Sequence, residues 1–295
     1  MRLQFKIVLF LSLSFTYCLQ AQIQSDYNLK HIEGQFQNVN YPGFDIHLPM
    51  LYFVAENDSG RFVYRLSLAD QIKQATSTGC KAERFFLTAE NNFMLIDVTG
   101  KLAECGTSKL EKQWQTLSNR VSQIEEAALN KHVNLLALYG KVNQNDRNHL
   151  MTYDLRYDNL NTIYCHSSSG KELSWSPQSA YLSYTIPESY ESLRSIGICR
   201  WDGSCVTQIR SDTVELSGAK WGLSSTKFAC IAKSGSSSYI FVLKTDGSLV
   251  EKVLQTSMSI ISIAWSPNGL YLAAILQKED ENTNELWLID LESAP

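Results

Sequence analysis

Trp175, Trp221 and Trp265 stand 46 and then 44 residues apart, each heading the same succession of residues. Leu173-Ser174-Trp175-Ser176-Pro177 is followed by Tyr181-Leu182-Ser183-Tyr184, and Lys220-Trp221-Gly222 by Lys227-Phe228-Ala229-Cys230. Ile263-Ala264-Trp265-Ser266-Pro267-Asn268-Gly269 is followed by Tyr271-Leu272-Ala273-Ala274. Self-similarity at a period of about 45 residues constrains a fold more than any single motif, because each repeat is one supersecondary unit that cannot bury its apolar surface alone. A third run follows in each unit: Ser195 to Arg200, Tyr239 to Leu243, and Glu285 to Asp290. Two of these lead into Asp-Gly pairs, Asp202-Gly203 and Asp246-Gly247, which tolerate the positive φ of a tight hairpin. Fourth runs are Cys205 to Arg210 and Leu249 to Leu254. Each unit therefore reads as four short antiparallel strands.

The first half carries weaker copies. Leu51 to Val54 precedes Arg61 to Tyr64, Phe85 to Thr88 precedes Phe93 to Asp97, and Leu135 to Leu138 precedes Leu150 to Asp154. Leu95-Ile96-Asp97 recurs as Leu288-Ile289-Asp290. Six units of this size need about 270 residues, and Gln22 to Pro295 supplies 274. One segment competes. Leu110, Trp114, Leu117, Val121, Ile124 and Ala128 alternate spacings of four and three, the pattern of a helix. The same stretch can be laid on Gln255 to Ile275, with Val121-Ser122 over Ile261-Ser262 and a three-residue insertion around Ala127. The neighbouring units ask for another blade, so strands are the preferred reading and a helix the alternative.

A lone four-stranded sheet cannot bury both faces, whereas sheets stacked around an axis cover one another. The expected fold is all-β, a β-propeller of four-stranded antiparallel blades, six in number with seven as the alternative. Trp175, Trp221 and Trp265 are expected to pack between blades, and the aspartates closing the third strands to accept turn N–H groups. With 14 Tyr, 12 Phe and 6 Trp the composition suits strands. At 44% hydrophobic and 19% charged it excludes a disordered chain or a multi-span membrane protein. The last unit stops after its third strand; an N-terminal strand within Phe44 to Leu48 is expected to complete it, since open edges are prone to aggregate. The alternative is that the chain is a fragment. Trp175-Ser176-Pro177-Gln178 and Trp265-Ser266-Pro267-Asn268, with the strand Leu286-Trp287-Leu288-Ile289-Asp290-Leu291, resemble the WD40-like (PD40) repeats of TolB-type β-propellers, and are similar to WD40 repeats. The resemblance covers 171–292 well and 25–150 poorly. It implies a fold and says little of a task, because many functions share the scaffold.

Residues 1–21 read as a secretory signal peptide: a basic head at Arg2 and Lys6, an apolar run from Ile7 to Tyr17, and a small residue at Ala21. The run is shorter than the roughly 20 residues a membrane span needs. The propeller domain then occupies 22–295, secreted or periplasmic, with net charge moving from -4 to -6. Loss of Cys18 leaves six cysteines in a compartment that permits disulfides. Cys199 and Cys205 flank a hairpin turn and form one possible disulfide; Cys80 and Cys105 bracket another hairpin and form a second.

Catalytic, metal and cofactor motifs are not apparent. The histidines, His31, His47, His132, His149 and His166, form no close metal pair. Cys165 and His166 are adjacent, so on a strand they face opposite ways. No G-x-S-x-G elbow, phosphate loop or dinucleotide fingerprint occurs, and Ser234 to Ser238 reads as a turn. Without a basic surplus, nucleic acid is an unsuitable partner. Asn57-Asp58-Ser59 is a glycosylation sequon that matters only in a eukaryote. Polar loops at Asn143 to Asn148, Pro187 to Glu191 and Lys278 to Asn284 recur at one place in their repeats, which puts them on one face of the ring. The expected function is an exported, non-catalytic binding module or scaffold for a protein or peptide, with no cofactor. The alternative is the gating propeller of a prolyl oligopeptidase-like serine hydrolase whose catalytic domain lies outside this chain.

Overall fold

The structure is a computed structural model. It describes residues 23–34, 37–45, 48–69, 75–87, 93–97, 99–105, 117, 119–130, 134–143, 146–163, 170–178, 180–187, 193–278 and 283–293. Residues 1–22, His47, His132, Cys165, His166 and the tips of the 187–191 and 278–284 loops lie outside the described residues.

Two short strands come first, β1 (Ile23–Gln24) and β2 (Asn28–Ile32). The first blade is β3 (Gln37–Phe44), β4 (Met50–Asn57), β5 (Gly60–Ser67) and β6 (Thr76–Lys81); the second is β7 (Arg84–Leu87), β8 (Phe93–Ile96) and β9 (Leu102–Cys105). The third comprises β10 (Gln123–Asn130), β11 (Leu135–Lys141), β12 (His149–Asp154) and β13 (Asn159–Thr162). The fourth is β14 (Lys171–Trp175), β15 (Tyr181–Ile186), β16 (Ser195–Arg200) and β17 (Cys205–Ile209). The fifth is β18 (Glu215–Trp221), β19 (Lys227–Ser234), β20 (Ser237–Lys244) and β21 (Leu249–Thr256). The sixth is β22 (Ser259–Trp265), β23 (Tyr271–Gln277) and β24 (Asn284–Asp290). Among the described residues this makes six antiparallel sheets, five with four or more strands and one, the second, with three.

The sheets form a propeller because their first strands touch in sequence: β3 meets β7, β7 meets β10, then β14, β18 and β22 follow, and β22 returns to β3. The second strands explain why the arrangement is stable. In β11, β15 and β23 nearly every residue is buried on both faces, as Leu135 to Gly140, Leu182 to Ile186 and Leu272 to Leu276 are. A run buried on both sides needs a neighbour on each side, and the adjacent blades supply it. The apolar clusters accordingly straddle seams: Ala229, Ile231 and Ile240 of the fifth blade pack with Ile263, Leu272 and Ile289 of the sixth.

The ring is closed by β2, paired antiparallel to β24 with Lys30 opposite Leu288 and Ile32 opposite Leu286. This corrects the expectation of a strand within Phe44 to Leu48. Phe44 instead ends β3, the innermost strand of the first blade, and is buried in the core that this blade shares with the sixth. Strand β2 suits its role: its burial alternates, Ile32 joins that core and the His31 ring lies 5.1 Å from that of Trp287. Just upstream, β1 pairs with β21 and gives the fifth blade a fifth strand. Ser25 Oγ donates to Val253 O at 2.6 Å, and the Tyr27 hydroxyl donates to Glu251.

Two further expectations shift. The repeat pattern sets Phe85 to Thr88 and Phe93 to Asp97 as second and third strands, but β7 is innermost, so β7 and β8 are the first and second strands of their blade. In the ambiguous segment Leu117, Asn119 and Arg120 are helical and Val121 N donates to Leu117 O at 2.9 Å, whereas Gln123–Asn130 is a strand. Leu110 and Trp114 lie outside the described residues.

Candidate functional site

The innermost strands of all six blades surround a cavity of about 480 Å³ on the ring axis. The upper end of the ring is taken as the one where these strands begin. Each innermost strand pairs with its second strand in antiparallel register, as Gln123 with Lys141 and Lys171 with Thr185, so the second-to-third connections also emerge at the upper end. The described ends of the polar loops singled out in the sequence, Asn143, Asp146 to Asn148, Pro187, Lys278 and Thr283, emerge at that end.

Most innermost strands carry an irregularity: the register shifts between Ile124 and Glu126, Lys171 and Ser174, Ser217 and Lys220, and Ile260 and Ser262. A bulge leaves backbone N–H groups without a ladder partner and re-aims a side chain. Here the preceding blade supplies the partner. Glu126 on β10 accepts from Glu172 N and Leu173 N on β14, each at 2.7 Å, one to each carboxylate oxygen. Glu172 in turn accepts from Gly218 N on β18 at 2.7 Å and from Thr185 Oγ1 at 2.5 Å. Glu172 and Gly218 share a left-handed backbone, with φ of 56° and 61°. The carboxylates thus staple the third blade to the fourth and the fourth to the fifth.

Glu126 as a residue is only half-buried because it lines the channel, but its carboxylate is enclosed. Enclosure raises its pKa; Lys220, the two N–H donors and Arg84 pull the other way. Lys220 Nζ donates to Leu173 O at 3.4 Å. The Arg84 guanidinium lies 4.9 Å from the Tyr41 ring centroid and donates to Glu125 O. Lys171 pairs with Glu125 at 3.4 Å. Neither Glu126 nor Glu172 stands out as a site residue in the sequence. Laying Val121-Ser122 over Ile261-Ser262 hides them; the strand begins at Gln123, and Glu126 occupies the place of Ser262, three residues before the tryptophan position. The nearest sequence signal is the spacing of 46 between Glu126 and Glu172.

The three tryptophans lie toward the lower end of the innermost strands. Trp175 Nε1 donates to Ala128 O at 2.9 Å and Trp221 Nε1 to Ser174 O at 3.1 Å, each reaching the blade before its own. Trp265 Nε1 points to Gly269 O at 3.4 Å within its own blade, and its ring lies so close to Gly222 that a Cβ there would stand 3.3 Å away. The turn aspartates accept hydrogen bonds: Asp202 Oδ1 takes Ser204 N at 2.9 Å and Ser204 Oγ at 2.7 Å, and Asp246 takes Ser248 N and Oγ at 2.8 and 2.6 Å.

The Cys199–Cys205 disulfide does not form, although the two residues are cross-strand partners. A register shift between Ile198 and Cys199 separates their side chains: Cys199 is fully buried in an inter-blade cluster with Tyr184, while Cys205 is exposed. Burial pushes the thiols of Cys199 and Cys230 up to about 12. Cys205 and Cys80 are each disulfide-bonded, and their partners are outside the described side chains. Among the described residues no group of three or more His, Cys, Asp or Glu side chains could hold a metal ion.

The lower end of the ring is different in character. Exposed large apolar side chains occur on its connections and at the strand ends: Tyr157, Trp201 and Leu223 are 75%, 56% and 62% exposed, and the exposed Leu249 and Val250 begin β21 at the same end. Tyr157 and Trp201 cap the third-to-fourth turns of adjacent blades, and Leu223 lies on the first-to-second connection of the next.

No protein-family model matches the chain, and no curated protein matches its sequence. Solved structures do match in shape. A protein assigned as TolB from Agrobacterium tumefaciens superposes with a TM-score of 0.56 at 14% identity, covering 86% of this chain and 90% of that one. A gluconolactonase from Xanthomonas campestris gives 0.55 at 11% identity, with 92% of each chain covered. Hydrazine synthase from Kuenenia stuttgartiensis gives 0.55 at 10% identity, covering 85% of this chain and 80% of that one. At these identities the likeness is one of fold: the chain is a β-propeller similar in fold to TolB.

Proposed function

We propose that the chain is an exported, non-catalytic binding module that docks a protein or peptide on the lower end of its ring. The observation that carries this reading is the collection of exposed apolar side chains there, with Tyr157, Trp201 and Leu223 spread over three consecutive blades. Large exposed apolar patches mark interaction surfaces, and tyrosine and tryptophan dominate the energetics of such contacts. The described parts of the upper loops, Asn143, Asp146 to Asn148, Pro187, Lys278 and Thr283, carry no large exposed apolar side chain. Export is supported by the basic head and apolar run of residues 1–21, whose removal leaves the domain at 22–295. The disulfides at Cys80 and Cys205 suit a secreted or periplasmic location. Both oxygens of the channel carboxylate Glu126 accept backbone N–H groups, which leaves it poorly placed as an acid or base.

A photo-cross-linking residue placed at Trp201, at Leu223 or, as a control, at Ser236 of the upper end tests the reading in cells. Adducts to a common partner are expected from the first two positions and not from the third. Adducts from Ser236 alone, or from none of the three, would contradict it.

A further inference from the structure

The staple position recurs on every innermost strand and forms a ring around the channel. Tyr41, Arg84, Glu126, Glu172, Gly218 and Ser262 each stand three residues ahead of the place that tryptophan fills on β14, β18 and β22. Tyr41, Glu172 and Gly218 share a left-handed backbone, with φ of 51°, 56° and 61°. The first four reach forward to the next blade. The Tyr41 ring lies under the Arg84 guanidinium, Arg84 donates to Glu125 O on β10, and the two glutamates make the staples. At the fifth and sixth blades the ring runs out of reaching groups, because Gly218 has no side chain and the Ser262 hydroxyl is buried. Ile261, 36% exposed, is left open to the channel there.

The channel is therefore two-sided. Charged groups come from the second to fifth blades, as Arg84, Glu126, Glu172 and Lys220, while Ile261, Phe44 and Phe85 make an apolar wall across the sixth, first and second. The charges are matched. Lys220 and Arg84 both attract the Glu126 carboxylate, and Lys171 pairs with Glu125 at 3.4 Å. An ion entering such a site gives up its hydration and meets no unmatched charge, so the channel fits a neutral ligand. Hydrogen-bonding capacity remains all the same. Lys220 Nζ, with three donors, makes one described hydrogen bond, to Leu173 O at 3.4 Å, and Arg84 donates from one of its nitrogens. The described bonds to the Glu172 carboxylate fall on Oε2, which leaves Oε1 to accept. A ligand for this wall must donate and accept along one side and offer C–H surface on the other. The hydroxyls around a pyranose do the first and its ring face the second.

We propose that the channel binds a neutral saccharide that enters from the upper end. Lys220 and Arg84 donate to hydroxyl oxygens, Glu172 Oε1 accepts from a hydroxyl, and the C–H face of the sugar lies on Phe85 and Ile261. The channel, about 480 Å³, is within the range of about 300–1,000 Å³ of small-molecule sites. It shares Glu172 and Ile261 with a smaller cavity of about 230 Å³ at the upper end, which gives a second sugar ring its place. The charges of that mouth are matched too: Arg194 and Glu215 stand 2.6 Å apart, and Lys233 is the cross-strand partner of Glu215. This site is separate from the apolar lower surface, so either can fail without the other.

The test is calorimetric titration of the whole purified chain with cellobiose, maltose and N,N′-diacetylchitobiose, beside digalacturonate as an acidic disaccharide, chitobiose as a basic one, and N-acetylalanine methylamide as a neutral peptide. At least one neutral disaccharide should bind about tenfold or more tightly than the charged pair and the peptide. Ile261→Lys, which sets a further charge in the channel, should weaken that sugar at least about tenfold, and Lys220→Met several-fold. Trp201→Ala, at the lower end, should leave its affinity unchanged. Because Ile261 is already exposed, its variant serves if Lys220→Met does not fold. The proposal is overturned by binding of no neutral disaccharide at about 20 mM, or by a charged sugar or the peptide binding as tightly. Sugar affinity unchanged in folded Ile261→Lys, or lost in Trp201→Ala, would overturn it as well.

Discussion

Glu126 holds two N–H groups of a neighbouring strand with its two oxygens, and that arrangement decides what the residue can do. A carboxylate enclosed in protein would ordinarily be a candidate acid or base. Here its lone pairs are committed to Glu172 N and Leu173 N, donors that the bulge on β14 had freed from the ladder. Glu126→Ala is predicted to strand both donors and destabilise the protein by about 2–4 kcal/mol, with Glu126→Gln losing about half as much because one acceptor survives. Urea unfolding midpoints measure this; a loss below about 0.5 kcal/mol for the alanine variant would mean the staple is ornamental. The cysteines teach a related lesson. Facing positions on a hairpin make Cys199 and Cys205 look like a pair, but one bulged residue sends Cys199 into the core and leaves Cys205 at the surface.

Turns and bulges repeat as faithfully as the strands do. Gly203 and Gly247 both adopt positive φ, 84° and 86°, and each abuts an isoleucine of the preceding blade, Ile163 and Ile209. In the same turns the hydroxyls and N–H groups of Ser204 and Ser248 hold the carboxyls of Asp202 and Asp246 below their ordinary pKa. A carboxyl lowered in the folded state contributes stability that is present above the ordinary carboxylate pKa of about 3.9 and lost as pH falls through the lowered value. Thermal melts of the wild type and an Asp202→Ala, Asp246→Ala double variant should therefore differ near about pH 6 and converge by about pH 2.5. A gap that persists in acid would assign these turns a purely geometric role. The contribution is modest, since both aspartates are exposed.

At the scale of the molecule, the period of the tryptophans is enough to read off a ring of antiparallel sheets, because burying both faces of a strand such as Tyr181–Ile186 leaves few other solutions. The third and fourth strands of the fourth and fifth blades are legible to within a residue or two, their boundaries being marked by Asp-Gly turns. In the second blade the reading slips by one strand, since Leu95-Ile96-Asp97 copies the end of a third strand while serving as a second. What closes the ring is also hidden: β2 is five residues long and carries no motif, and only its pairing with a strand more than 250 residues away reveals it. The channel is illegible for a similar reason. Its staples lie on bulges, where the period-two alternation that marks a strand is interrupted.

Closure by β2 is what makes the six sheets one body, and native-state hydrogen exchange tests it most directly. Backbone amides of Asn28–Ile32 should be protected to the same degree as those of Asn284–Asp290 and lose protection together with them as denaturant is raised. Exchange of Asn28–Ile32 at the rate of an unstructured segment, while Asn284–Asp290 stays protected, would contradict the closed ring.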